Sequence, residues 1–284
     1  MASMQKPVDP NEKSKLYGER LANVLDLTGD AAPDPSKIYK LHINILLDTL
    51  HRQADSEQLR SLGAFLSVYL PKLYQAWLDC DELRSAFAEV LNFASDSLYF
   101  IRFTKLSPAE TFARTQIKRL ANWNPPTTGD PEQIEDDVGG ACQFTSTLLV
   151  YQGTSRLDPA DVALALPKLQ RWRLKYRGRF AAETSDRVYL ALKGDPIHEA
   201  MTRMMKQKLG ESLYACGKQG CTKSAKDNGD DLKQCGRCKS VRYCSEATRR
   251  KHGKRISQSA LHACIKGLSL GAAGNSFKTE PNSA

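Results

Sequence analysis

The chain has 284 residues, enough for one large or two unequal domains, each burying a core. Apolar residues make up 41% and charged residues 26%, and no run approaches the roughly 20 apolar residues of a membrane helix. The first residues hold no apolar segment, so no secretory signal is expected and the protein is expected inside the cell, in cytoplasm or nucleus. The net charge of +9 is confined to one end. Residues 1–213 carry 27 Lys and Arg against 27 Asp and Glu, whereas residues 214–284 carry 14 against 5. That shift marks a domain boundary. Six of the 8 cysteines share the basic end, between 216 and 264, while Cys80 and Cys142 stand alone upstream, as buried small hydrophobes do.

Residues 1–13 are polar, contain Pro7 and Pro10, and are expected to be disordered. A mainly α domain is expected over 14–213, with a helix count that suits stacked helical hairpins. Ser36 can cap a helix running to about Ala54, with Ile38, Leu41 and Ile45 on one face. Leu59, Leu62, Leu66, Tyr69 and Leu73 continue at helical spacing, and Pro71 predicts a break or kink. Leu83, Phe87, Val90, Ala94, Leu98 and Ile101 form the longest amphipathic stripe, predicting a single helix of several turns. Ser107-Pro108-Ala109-Glu110 has the form of a capping box with proline at the first helical position. The proline, glycine and acid of Asn124 to Gly140 predict a long loop. Phe144 to Tyr151 is assigned to helix, because no partner strand is evident. Asp158-Pro159-Ala160-Asp161 starts another helix, and a last one runs from about Ile197 to Leu213.

No phosphate-binding Gly-Lys-Ser/Thr loop, Gly-x-Ser-x-Gly elbow or His-Glu-x-x-His pair occurs, and the helical region offers no catalytic constellation. His42 and His51 are assigned structural or solvated roles, and Trp77, Trp123 and Trp172 core packing. The basic, aromatic-interleaved run Lys168 to Arg179 is assigned to a solvated helix face; contact with phosphate or an acidic partner is the alternative.

The chemistry lies further on. Cys216-Gly-Lys-Gln-Gly-Cys221 is followed by Cys235-Gly-Arg-Cys238, and then by Cys244, His252, His262 and Cys264. Zinc takes four thiolate or imidazole ligands in a tetrahedron, and a Cys-x2-Cys turn directs two sulfurs at one ion. The segment has too few large apolar side chains for a core of its own, so metal binding must supply its folding free energy. Eight candidate ligands suffice for two Zn²⁺.

These cysteine pairs, and above all Lys239-Ser-Val-Arg-Tyr243-Cys244-Ser245, resemble the MYND-type zinc finger over about 50 residues. The resemblance implies a small zinc-stabilised cross-brace over 214–266, followed by a disordered tail over 267–284. It places Cys216, Cys221 and Cys244 on one zinc, and Cys235, Cys238, His262 and Cys264 on the other. The family's next cysteine is replaced here by Thr248, which leaves the first site one thiolate short. His252, one turn further along, is the natural substitute; a three-cysteine site completed by water, or an empty one, is the alternative.

Fingers of this family act mostly in protein contacts, which implies a non-enzymatic adaptor. Some dock proline-rich peptides through a glutamine and a tryptophan, replaced here by Arg249 and Gly253, so that route is not expected. The basic run Arg249 to Arg255 suits a solvated helix, an acidic partner segment, nucleic acid or a nuclear-import signal, and a nuclear factor touching nucleic acid or chromatin is the second reading of the function. Lysine methyltransferases that carry such a finger form a third. Their Asn-His-Ser-Cys signature is missing.

Overall fold

In the computed structural model the described residues are 9–29, 31–34, 38–214, 232–234, 242–243 and 245. Among the described residues ten α-helices follow one another: α1 Pro10–Val24, α2 Lys40–His51, α3 Asp55–Asp79, α4 Ala86–Phe93, α5 Leu98–Phe103, α6 Phe112–Asn122, α7 Pro131–Gln152, α8 Pro159–Lys175, α9 Phe180–Lys193 and α10 Pro196–Tyr214. A 3-10 turn, Ser107–Ala109, precedes α6. Two short strands, β1 Lys233–Gln234 and β2 Arg242–Tyr243, pair antiparallel near the C-terminal end. The described part of the chain is mainly α. The chain divides into two compact units, Met1–Lys208 and Leu209–Ala284.

Within the first unit, helices pack on neighbours one and two positions along the chain. α1 lies on α3, α6 on α7 and α8, α7 on α9, and α8 on α9. One continuous apolar core runs from Leu21 to Val188, with Trp77, Phe100, Phe112 and Phe144 fully buried in its middle. The aromatic rings meet edge to face or tilted: Phe112 is 4.6 Å from Trp77 and 5.7 Å from Phe144. Such packing adds directional contacts to plain burial.

Several helix starts are set by local chemistry. Asp158 precedes α8 and accepts from the Ala160 amide at 2.9 Å, with Pro159 at the first helical position, as its sequence predicts. Asp130 does the same for α7, accepting from Glu132 at 3.0 Å ahead of Pro131. Each carboxylate satisfies an amide that the helix leaves without a partner. Phe144 to Tyr151 is helical as expected.

Other expectations are corrected. α1 begins at Pro10, inside the stretch expected to be disordered. α2 begins only at Lys40, with Tyr39 at its N-cap and no side-chain cap bond; Ser36 lies outside the described residues. Its inner face is Ile43, Leu46 and Leu50, while Leu41 and Ile45 are exposed. α3 runs unbroken through Pro71, since the carbonyl four residues earlier belongs to Ser67, exposed as Pro71 itself is. The stripe from Leu83 to Ile101 is buried throughout but divided between α4 and α5. Ser97 accepts from the Phe100 amide at 3.2 Å and starts a new helix there. Glu110 ends the 3-10 turn and the next α-helix begins at Phe112, so the expected capping box is not formed.

The largest departure is at 131–140, which forms the first ten residues of α7 instead of a loop. Gly139 and Gly140 are packing positions on that helix. A Cβ on Gly139 would lie 2.8 Å from Phe180 Cδ1, and one on Gly140 would lie 2.5 Å from Arg84 Nη1. Glycine usually weakens a helix by about 1 kcal/mol, which the close approach of α9 and Arg84 offsets here.

Candidate functional site

β1 and β2 are the described part of the cysteine-rich segment. Lys233 pairs with Tyr243 and Gln234 with Arg242, so the seven residues 235–241 connect the two strands. That connection contains Cys235-Gly-Arg-Cys238, and Cys244 follows β2 directly. Leu232, just before β1, is buried. The eight candidate ligands, Cys216, Cys221, Cys235, Cys238, Cys244, His252, His262 and Cys264, lie outside the described residues, as do Thr248, Arg249 and Gly253. Among the described residues, no group of three His, Cys, Asp or Glu side chains is placed to hold a metal ion.

In the helical unit the singled-out residues have different fates. His42 and His51 are exposed, the former with its ring 5.5 Å from Tyr39. Trp77 is fully buried, Trp172 nearly so, and Trp123 packs edge to face on Trp172 at 5.8 Å. Cys142 is buried beside the Ser185 hydroxyl at 3.5 Å, and burial pushes its thiol up to about 12; Cys80 is half-buried. Of the run Lys168 to Arg179, Leu169, Trp172 and Tyr176 face the core. Lys168 Nζ donates to the Trp123 carbonyl at 2.8 Å, Arg173 pairs with Asp186 at 2.6 Å, and Arg179 pairs with Glu135. Arg171, Lys175 and Arg177 remain on the solvent side. The expected solvated face is therefore half of this run; the other half holds α8 in place.

Three arrangements were not visible in the sequence. Arg84 donates to Asp137 at 3.2 Å and to Glu89 at 3.3 Å, tying the approach to α4 to α7. Burial pushes the Glu89 carboxyl above its ordinary range, with the Arg84 charge opposing that shift. Arg119 lies over the Trp77 ring at 4.3 Å and donates to the Trp77 and Leu78 carbonyls at 2.8 and 3.1 Å. Burial holds that guanidinium below its usual value. Beside it, Leu78, Leu83, Thr115, Lys118 and Trp123 help to line a cleft of about 640 Å³. The third arrangement is the outer face of α10, where Ile197, Met201, Met204 and Met205 are exposed. None of the described helices is long and apolar enough to cross a membrane.

No protein-family model, curated protein or solved structure matches the chain. The functional reading therefore comes from the chemistry of the chain's own residues.

Proposed function

We propose that the protein is a zinc-binding, non-enzymatic adaptor: stacked helical hairpins over 14–213 joined to a C-terminal MYND-like finger that makes protein contacts. The observation that carries this reading is the antiparallel pair around the Cys-x2-Cys turn. Two residues per strand are too few to be stable alone in water, so the ladder calls for a further constraint at its ends. Zinc held by the flanking thiols is that constraint. In an antiparallel pair, β1 and β2 end at opposite ends of the ladder. The residues that follow them are Cys235 and Cys244, which a cross-brace assigns to different ions.

The six thiols and two imidazoles suit Zn²⁺ by ligand type. Packing between helices one and two positions apart suits a stack of hairpins. The excess of cations beyond 213 favours an acidic partner segment over a neutral proline-rich one.

Native mass spectrometry of the full chain, with elemental analysis, tests the reading. Two zinc ions per chain are expected, or one where the site facing Thr248 is weak. Cys235→Ser should lower the count and abolish capture of partners. A chain that folds with no zinc, or a partner set unchanged in Cys235→Ser, would sink the proposal.

A further inference from the structure

We infer that the exposed face of α10 is an oxidation site, where a peroxide converts Met201, Met204 and Met205 to sulfoxides and turns an apolar stripe polar without unfolding the helical unit. The helix is set by Asp195, whose carboxylate accepts from the His198 amide at 2.9 Å. At 100° per residue, the three methionines fall within about 100° of one another, on one face. They are 59, 63 and 43% exposed. Met205 is the least open because it lies nearest, around the helix, to the half-buried His198 and Thr202.

The distribution of sulfur carries the inference. The chain has 5 methionines, and the two outside α10, Met1 and Met4, lie outside the described residues. Among the described residues no methionine is part of the buried core. Oxidising a core methionine sets a polar oxygen among apolar groups and disrupts their packing. On α10 each new oxygen meets water instead, so the core from Leu21 to Val188 keeps its contacts. Of the described thiols, Cys142 is fully buried and Cys80 half-buried, so the most exposed sulfur-bearing side chains among the described residues are those of α10. A thioether has no proton to lose, and its lone pair attacks at any ordinary pH. The sulfur attacks one peroxide oxygen, the O–O bond breaks and an S–O bond forms. The proton of the attacked oxygen passes to the departing one, which leaves as water or an alcohol; the sulfur gives up the electron pair that the peroxide gains. A dithiol reductant reverses the change, leaving thioether, water and a disulfide. Lys208 lies one turn beyond Met204 on the same face and is exposed, so it can donate to the oxygen formed there. The site stands independently of the zinc reading.

The test treats the full chain with hydrogen peroxide and follows each methionine by peptide mass spectrometry. Met201 and Met204 should each gain one oxygen at a rate within about threefold of N-acetylmethionine amide, with Met205 slower. A parallel variant carries Met201→Leu, Met204→Leu and Met205→Leu, which keeps the face apolar but removes the thioethers. After peroxide the native chain should elute earlier from a hydrophobic-interaction column, and the variant should elute where it did before. Methionine sulfoxide reductases of both stereospecificities should restore the native retention. Circular dichroism and the thermal midpoint should respond to peroxide equally in the two chains. A retention shift that persists in the variant would assign the change to Met1, Met4 or the cysteines and overturn the proposal. Rates more than about tenfold below the free amide would show a covered face and overturn it too. So would a loss of cooperative unfolding confined to the native chain, since the fold would then depend on the thioethers.

Discussion

Arg84 and Asp137, 53 positions apart, meet at 3.2 Å and join the first helices of the unit to α7. The guanidinium is 18% exposed, and its carboxylate partners Glu89 and Asp137 are 15% and 24% exposed. Breaking so enclosed a pair leaves two carboxylates without their cation, so Arg84→Met should cost about 2–4 kcal/mol in urea unfolding. Glu89 is raised by burial, which means its contribution is full below the unfolded pKa and is lost as pH rises through the folded one. Removing Arg84 raises Glu89 further. The loss in Arg84→Met should therefore be greater at neutral pH than in acid, where Glu89 is protonated in either chain. A loss independent of pH would contradict this account.

Two glycines separate backbone contact from side-chain contact. A Cβ on Gly18 would meet the Phe65 backbone nitrogen at 3.0 Å and its Cα at 3.2 Å, where α1 presses on α3. Gly18→Ala should cost about 1–3 kcal/mol, because backbone cannot step aside cheaply. On Gly63 the nearest atom would be Tyr99 Cε2 at 3.4 Å. Gly63→Ala should gain up to about 1 kcal/mol of helix propensity. Thermal melts of the two variants should shift in opposite directions.

Cys142 is fully buried, with its thiol pushed to about 12, so little thiolate exists at neutral pH and no reagent reaches it. Timed alkylation read by peptide mass spectrometry should label half-buried Cys80 well before Cys142. Equal labelling rates in the folded chain would count against this packing.

In the proposed zinc finger, Thr248 stands where one site is short of a thiolate. Thr248→Cys should tighten the weaker zinc at least tenfold in a chelator competition, because a thiolate replaces a poor neutral ligand. An unchanged profile would favour His252 as the fourth ligand of that site.

What was legible beforehand follows from the range of each interaction. Asp158 starts α8 through a bond to an amide two residues away, and Phe144 to Tyr151, for which the sequence offers no partner strand, is helical. The stripe Leu83 to Ile101 was legible as buried, but not its division, because 3.6-residue spacing survives a short turn at 94–96. Of the candidate centre, the ligand types and the Cys-x2-Cys spacing are sequence properties, whereas the register of Lys233 on Tyr243 is not.

The sequence by itself determined the confinement of positive charge and of six cysteines to one end, the helical character of the rest, and the helix start at Asp158. These depend on composition or on a single helical turn. Only the tertiary structure decided that α2 turns Ile43, Leu46 and Leu50 inward instead of Leu41 and Ile45. It alone made Gly139 and Gly140 helical contacts instead of loop residues, and left the methionines of α10 uncovered. Each of those outcomes depends on which distant helix lies opposite, a choice set by burial summed over the whole core.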